Sequence, residues 1–530
     1  MEYTKRSILI RIVPFLLLIT LLFPIDCSLA ENVGPSITIG IQCTKTLTIR
    51  PFEPLERDIL SINNEIYEGL VFIDDDYMPQ GRIAESWEES SSGRFWTFHL
   101  RRDVRFSDGT PLTAADVVAS ANYILDRAKD ENITDHGFYS NLKYFVKSIS
   151  AKDDYTVVIT ANNSKSVTRT CFGMLYEMTF PIVPADQVDA DFPPGTGPYM
   201  VSQFEAGSFM ELQANPNWWK LQPYVQQIMV SFHDAPKPVI DSYEYNRVDA
   251  VFTRSTAGAQ YKTGTMSVSM AYRTNQLECL LTNNQASELT PEVRRAIRYV
   301  IDRQKIINNI YSGMAVQTNL PFYPGTWMYN DSLDSQFTIN LDEARRLLEQ
   351  AGWEDSDENG ILDRTTSEGK TRTLSLRFYV YEEPDNDVRL ETANLIAEQL
   401  AQVGIECRIE PMTYANVKEK LSAGSFDLAL VSFAMDPCPD PGFLLMRGNT
   451  CNYVRYKSDR MTTLCNELRK CFTFDTYRQK LMEIQSLFVE DCPFICLCYR
   501  TGFVITRNMY TTCRDVREYE LLRGIESFSP

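Results

Sequence analysis

From residue 374 the chain alternates short apolar runs with helical stretches of matched length, an order that few folds accept. LSLRFYV at 374–380, a helix over 387–403, IECRIEP at 405–411, a helix over 414–423 and FDLALVSF at 426–433 follow one another with short joints. A strand that returns to its sheet through a helix lies parallel to its predecessor, and the crossover is right-handed. A further helix over 475–489 and an apolar run over 493–499 lead toward the C-terminus. Ligands of parallel sheets gather at the carboxyl ends of strands. Asp436 stands just beyond such an end, in FDLALVSFAMDPCPDPGFLL.

The other end of the chain reads as an address. Lys5, Arg6 and Arg11 precede an apolar stretch over 12–25, and Ser28-Leu29-Ala30 is a small-x-small cleavage site, so residues 1–30 read as a signal peptide. The mature protein is expected to begin near Glu31 and to be soluble. Pro24, Ile25 and Asp26 before Cys27 are not the small residues that lipid attachment wants. No later apolar run is long enough for a bilayer span, which excludes a permease. A formal net charge of −18 argues against nucleic acid or an anionic membrane as partner. It suits a cationic ligand as well as plain solubility. Of 13 cysteines, Cys27 falls in the leader, and eight of the other twelve crowd into Cys438, Cys451, Cys465, Cys471, Cys492, Cys496, Cys498 and Cys513. Bridges or inert thiols account for these better than a metal, because no histidine follows His233.

Between these ends the signals are local. Strands are expected over 37–41, 95–106, 155–160 and 225–232, and helices over 64–70, 114–128 and, less regularly, 165–179. Trp87 falls in a short amphipathic turn, and Ser107-Asp108-Gly109-Thr110-Pro111 forms a second turn. Thr113 and Asp116 make a capping box. Gly195 and Gly197 mark a tight turn rather than a phosphate loop, since no GxxxxGK[ST] follows. Trp218 and Trp219 read as core or domain-junction aromatics. The longest helix is expected over 290–311, with Thr290 as cap, Pro291 in the first turn and an apolar stripe from Val293 to Ile301. Asn340 and Glu343 cap the next helix, which Gly352 ends. Asp355, Asp357, Asn359 and Gly360 match the first half of a calcium loop, but Thr366 stands where a bidentate glutamate belongs.

Several strings are more specific than their physics. AESWE, WTFHLRRDVRFSDGTPLTAADVV, IYEGLV, GTGPYM, ELQANPNWW, TPEVRRAIRYVIDRQKI and LDEARRLLEQAGWEDSDENG closely resemble the family 5 extracellular solute-binding proteins, the receptors of peptide and nickel importers. The resemblance implies an α/β, periplasmic-binding-protein-like fold of class II type. Two lobes would arise from three discontinuous domains, with a hinge and an interlobe ligand cleft. Domain I would take residues 31–75, 195–287 and 497–530, domain II 76–194, and domain III 288–496.

What the resemblance implies for function is capture of a short peptide, as a monomer, and delivery to ABC permease and ATPase subunits, with no cofactor and no metal. Asp436 matches the aspartate that meets a ligand's α-ammonium in peptide-binding relatives. Phe433 replaces the usual tryptophan, and Pro437-Cys438-Pro439 a tyrosine region. Ser432, Phe433 and Ala434, facing Leu55, Glu56 and Arg57 across the cleft, would line the peptide. Oligosaccharide, opine and nickel chelate remain alternative ligands. A secreted hydrolase is the alternative of another class, but the chain has no GxSxG and no HExxH, and only His99, His136 and His233. An enzyme is not expected.

Overall fold

The computed structural model describes residues 35–44, 48–53, 55–164, 168–255, 268–366, 368–383, 386–507 and 516–527. The leader expectations for residues 1–30, together with Cys27 and Cys513, lie outside them. The main sheet contains, in chain order, β1 (Ser36–Gln42), β2 (Tyr199–Glu205), β3 (Phe209–Ala214), β4 (Gln227–His233), β5 (Ala250–Thr253) and β6 (Val268–Thr282). It continues with β7 (Ser375–Tyr381), β8 (Glu406–Met412), β9 (Leu428–Ala434) and β10 (Phe494–Thr506). Their spatial order is β8-β7-β9-β6-β10-β5-β1-β4-β3-β2, and the short strand Ala315–Gln317 adds to β10.

The parallel prediction holds: β7 pairs parallel with both β8 and β9. β1 pairs parallel with β4 and β5. Between these parallel halves lie β6 and β10, antiparallel to each other and to their outer neighbours. The sheet is one surface with a two-strand seam.

An inserted unit hangs from the first half. Four antiparallel strands, Ala84–Glu89, Phe95–Leu100, Thr156–Ala161 and Val146–Asp153, form its sheet. The helix Ala114–Arg127 packs on that sheet, and Asp116 Oδ2 accepts the Thr113 amide at 2.8 Å. Trp87 is therefore on a strand, not a turn, because Phe98 pairs opposite it. The strand from Phe95 stops at Leu100 rather than reaching residue 106.

Three helix expectations need correction. The early helix is Arg57–Ile66, and Tyr67 leaves it in extended form, so only its last three residues fall within the expected 64–70. Ile59, Leu60, Ile62 and Ile66 are buried there beside Asp58, Asn63 and Glu65, and those buried polar residues obscure the stripe. The stretch from 165 is a 3₁₀ helix over Phe172–Thr179 among the described residues. The long helix divides into Pro291–Val300 and Arg303–Asn309. Ile301 is extended between them, and the Asp302 carboxylate accepts the Lys305 amide at 2.9 Å, capping a new helix.

Two of the family-like strings have a physical reason. Arg294, Arg298 and Arg303 are buried and donate to the carbonyls of Cys492, Val489 and Cys496, tying their helices to the entry of β10. A Cβ on Gly195 would fall 1.9 Å from the Ile66 carbonyl oxygen, and one on Gly197 2.4 Å from that of Glu65. The glycines let the chain return against the end of the first helix. The acidic turn satisfies itself: Asp355 accepts the amides of Asn359 and Gly360 at 3.1 and 3.0 Å.

Candidate functional site

A cavity opens at the seam, with about 1150 Å³ of unfilled volume including its mouth. Its walls come from distant parts of the chain. β6 contributes Arg273, Thr274 and Asn275, and β10 contributes Tyr499. The inserted unit contributes Tyr77, Phe138, Tyr139 and Tyr176. The loop after β9 contributes residues 435–441, and the C-terminal stretch contributes residues 517–520.

Asp436 is the unpaired acid of this cavity. Its Oδ1 accepts the Cys438 amide at 3.2 Å, and Oδ2 accepts the Asn141 side-chain amide at 2.5 Å. It forms no salt bridge among the described residues. Arg169, the cation that acts on it, is held by Asp440 at 2.9 Å. Asp436 is exposed to solvent at its surface, although protein atoms crowd around its carboxylate. Burial pushes its pKa up to about 6, Asp440 adds to the push, and the Cys438 amide, Asn141 and Arg169 oppose it. Glu177 behind the loop is raised well above the carboxylate range by burial and then by Asp436.

The other acids of the wall are paired. Asp440 is held by Arg469 at 2.7 Å as well as by Arg169. Glu518 accepts from Arg254 at 2.5 Å. Burial raises Glu520, but Arg517 and Arg523 outweigh it and hold the carboxyl below its usual value. Aromatic rings complete the lining. Tyr323 stacks on Tyr499 with centroids 4.7 Å apart, and Phe138 meets Tyr519 at 4.7 Å across two segments. Tyr77 carries the Arg517 guanidinium 4.4 Å above its ring. Arg273 lies 4.6 Å above the Tyr323 ring, so the wall's own arginines occupy these ring faces, and the attraction left for a cationic group is the carboxylate without an ion pair.

Of the residues expected to line a peptide, this cavity takes Asp436 alone. Phe433 is buried opposite Leu277 of β6, and Ala434 is exposed opposite Gln276. The Ser432 hydroxyl donates to Glu278, which Arg389 and Arg500 also hold. Burial works against ionisation of Glu278, but Arg389, Arg500 and Ser432 prevail and hold it down to about 2. That hydroxyl is committed to a buried ion network. The ladder between β9 and β7 ends at Leu430, so beyond it β9 pairs with β6 alone. Glu56 and Arg57 line a second cavity with Arg254 and Arg500. Glu56 accepts the Thr44 amide at 2.9 Å, and Arg57 approaches Glu518 at 3.5 Å. Leu55 packs against the core beside them.

The sequence reading missed the rings. Tyr77, Tyr176, Tyr323 and Tyr499 belong to four segments with no shared period, so only the fold assembles them.

Comparison with known proteins gives the family and the fold. The family described as "Bacterial extracellular solute-binding proteins, family 5 Middle" matches residues 78–453. The Oligopeptide-binding protein AppA of Bacillus subtilis is 25% identical over 461 residues, covering 83% of this chain and 81% of its own. The structure of that AppA in complex with a nonapeptide superposes with a TM-score of 0.65 at 20% identity, covering 93% of this chain and 98% of AppA. NikA from Brucella suis in complex with Fe(III)-EDTA gives a TM-score of 0.76 at 18% identity, covering 93% and 99%.

Proposed function

Because this chain belongs to the family 5 bacterial extracellular solute-binding proteins, we propose that it captures short peptides in the aromatic cavity and hands them to a membrane permease. Membership makes it a solute-binding component of an ABC importer, exported and not an enzyme. The fold is the class II periplasmic-binding-protein type, with two α/β lobes and discontinuous domains. Residues 1–30 would be the cleaved export signal, and domains I, II and III would take the boundaries given above.

The peptide reading rests on Asp436. A carboxylate pushed up to about 6 by burial, with no salt bridge among the described residues, lines the cavity. A free α-ammonium supplies the missing charge and three donors. The likeness to an oligopeptide-binding relative supports this choice. The fold alone does not make it, since NikA shares the fold and is in complex with a metal chelate. His99, His136 and His233 all lie outside the cavity lining.

Mass spectrometry of ligands released from the gently purified protein identifies their class. Calorimetry with one such peptide and its N-acetyl form then tests the anchor. Acetylation is expected to cost far more than a change of one side chain. Asp436→Asn is expected to weaken binding by about 2–5 kcal/mol, roughly thirtyfold to several thousandfold in Kd. Equal affinity for the two peptide forms removes Asp436 from this role. An oligosaccharide, opine or nickel chelate among the released ligands replaces the peptide reading altogether.

A further inference from the structure

β6 and β10 carry a pair of cysteines that the binding role does not use. Cys279 of β6 stands directly opposite Cys496 of β10 in the antiparallel register. A bulge creates that match. Leu277 pairs with Tyr499 and Glu278 with Cys498, but Cys279 then pairs with Cys496, leaving Leu497 as the extra residue. Without the bulge Cys279 would face Leu497.

Both sulfurs are fully buried and belong to one core cluster, whereas Cys498 packs into the cluster on the other face of the sheet. The choice of partner is therefore set by the pleat. Cys279 and Cys496 are both free thiols in this structure. Directly opposed residues of an antiparallel pair have Cα atoms about 4.5 or 5.5 Å apart, inside the roughly 4.4–6.8 Å window of a disulfide.

We infer that Cys279 and Cys496 become a cross-strand disulfide in the exported protein, a covalent staple across the seam of the main sheet. The bond joins the two sulfurs; two protons and two electrons leave. A small-molecule or protein disulfide accepts them by thiolate exchange and is reduced to two thiols. Burial raises the Cys279 thiol well above its usual range. Both sulfurs are closed to solvent in the folded protein, so exchange belongs to the stage before β6 and β10 close on each other. Only the oxidising compartment follows from export; the pairing itself follows from register and burial.

The test is made on the full mature chain, independently of any ligand. The protein is refolded from denaturant in a mixture of oxidised and reduced glutathione. It is then unfolded without reductant in the presence of an alkylating agent, digested and mapped. The expected result is a linked pair of peptides bearing Cys279 and Cys496. Alkyl groups on both sulfurs, or a bond from either to another cysteine, overturns the inference. A second measurement compares thermal midpoints with and without reductant. Reductant is expected to lower the wild-type midpoint more than that of Cys279→Ala, which cannot form the staple. An equal response in the two proteins overturns the staple even where a linked peptide is found.

Discussion

Asp436 in the free protein is a charged anchor at neutral pH and a neutral acid near pH 5, because its carboxyl is pushed up to about 6. A cationic ligand binds the ionised form, so its affinity is expected to fall by about tenfold per pH unit once the pH drops below about 6. Titration calorimetry across pH values from about 5 to about 8 reads this directly, and a flat profile for wild type removes the carboxylate from the binding step. Asp436→Asn is expected to be weak and flat. The sign for folding is separate. The native carboxyl holds its proton above the ordinary aspartate value of 3.8, so its contribution to stability is present below that value and lost as the pH rises through about 6. Asp436 was legible in the sequence because its place depends only on the strand before it. Ser432, two residues inside that strand, was not. Alternation gives the parity of a side chain, but only the packed structure shows Glu278, Arg389 and Arg500 beneath it.

Among elements, the alternation over β7, β8 and β9 was legible because strand–helix–strand order leaves little choice of pairing. The region after residue 290 was read too simply. Val293, Ile297 and Val300 pass into Ile301, Ile306 and Ile307, so the apolar stripe continues through a break that the backbone makes at Ile301. The sign of that break is Asp302, whose carboxylate caps the second helix through Lys305. Asp302→Ala removes the cap and is expected to cost about 0.5–2 kcal/mol. The denaturation midpoint should shift while ligand affinity stays the same. An unchanged midpoint would mean that the two helices are held by packing alone. The strand through Trp87 was missed for another reason: its polar, exposed face hides its alternation, and its identity rests on pairing with Phe95–Leu100.

At the scale of the molecule, family-like strings made the architecture readable, but not the way the lobes are joined. The two halves of the sheet meet only at β6 and β10, and the cavity opens on those same strands. A ligand that touches both sides is expected to favour closure by bending near the seam. Small-angle scattering should give a smaller radius of gyration with saturating ligand; no change for a tight ligand would identify a receptor already closed. The same seam bears on how the chain emerges from a membrane. β1 is among the first described residues, yet it lies between β4 and β5, and β5 needs β10, which begins at Phe494. An export channel that releases the chain from its N-terminus delivers β10, the strand that joins the two halves, last. Until Phe494 has crossed, β5 and β6 both lack the strand that joins them, and the edges of the two half-sheets stay open to proteases and chaperones for nearly the whole length of the passage.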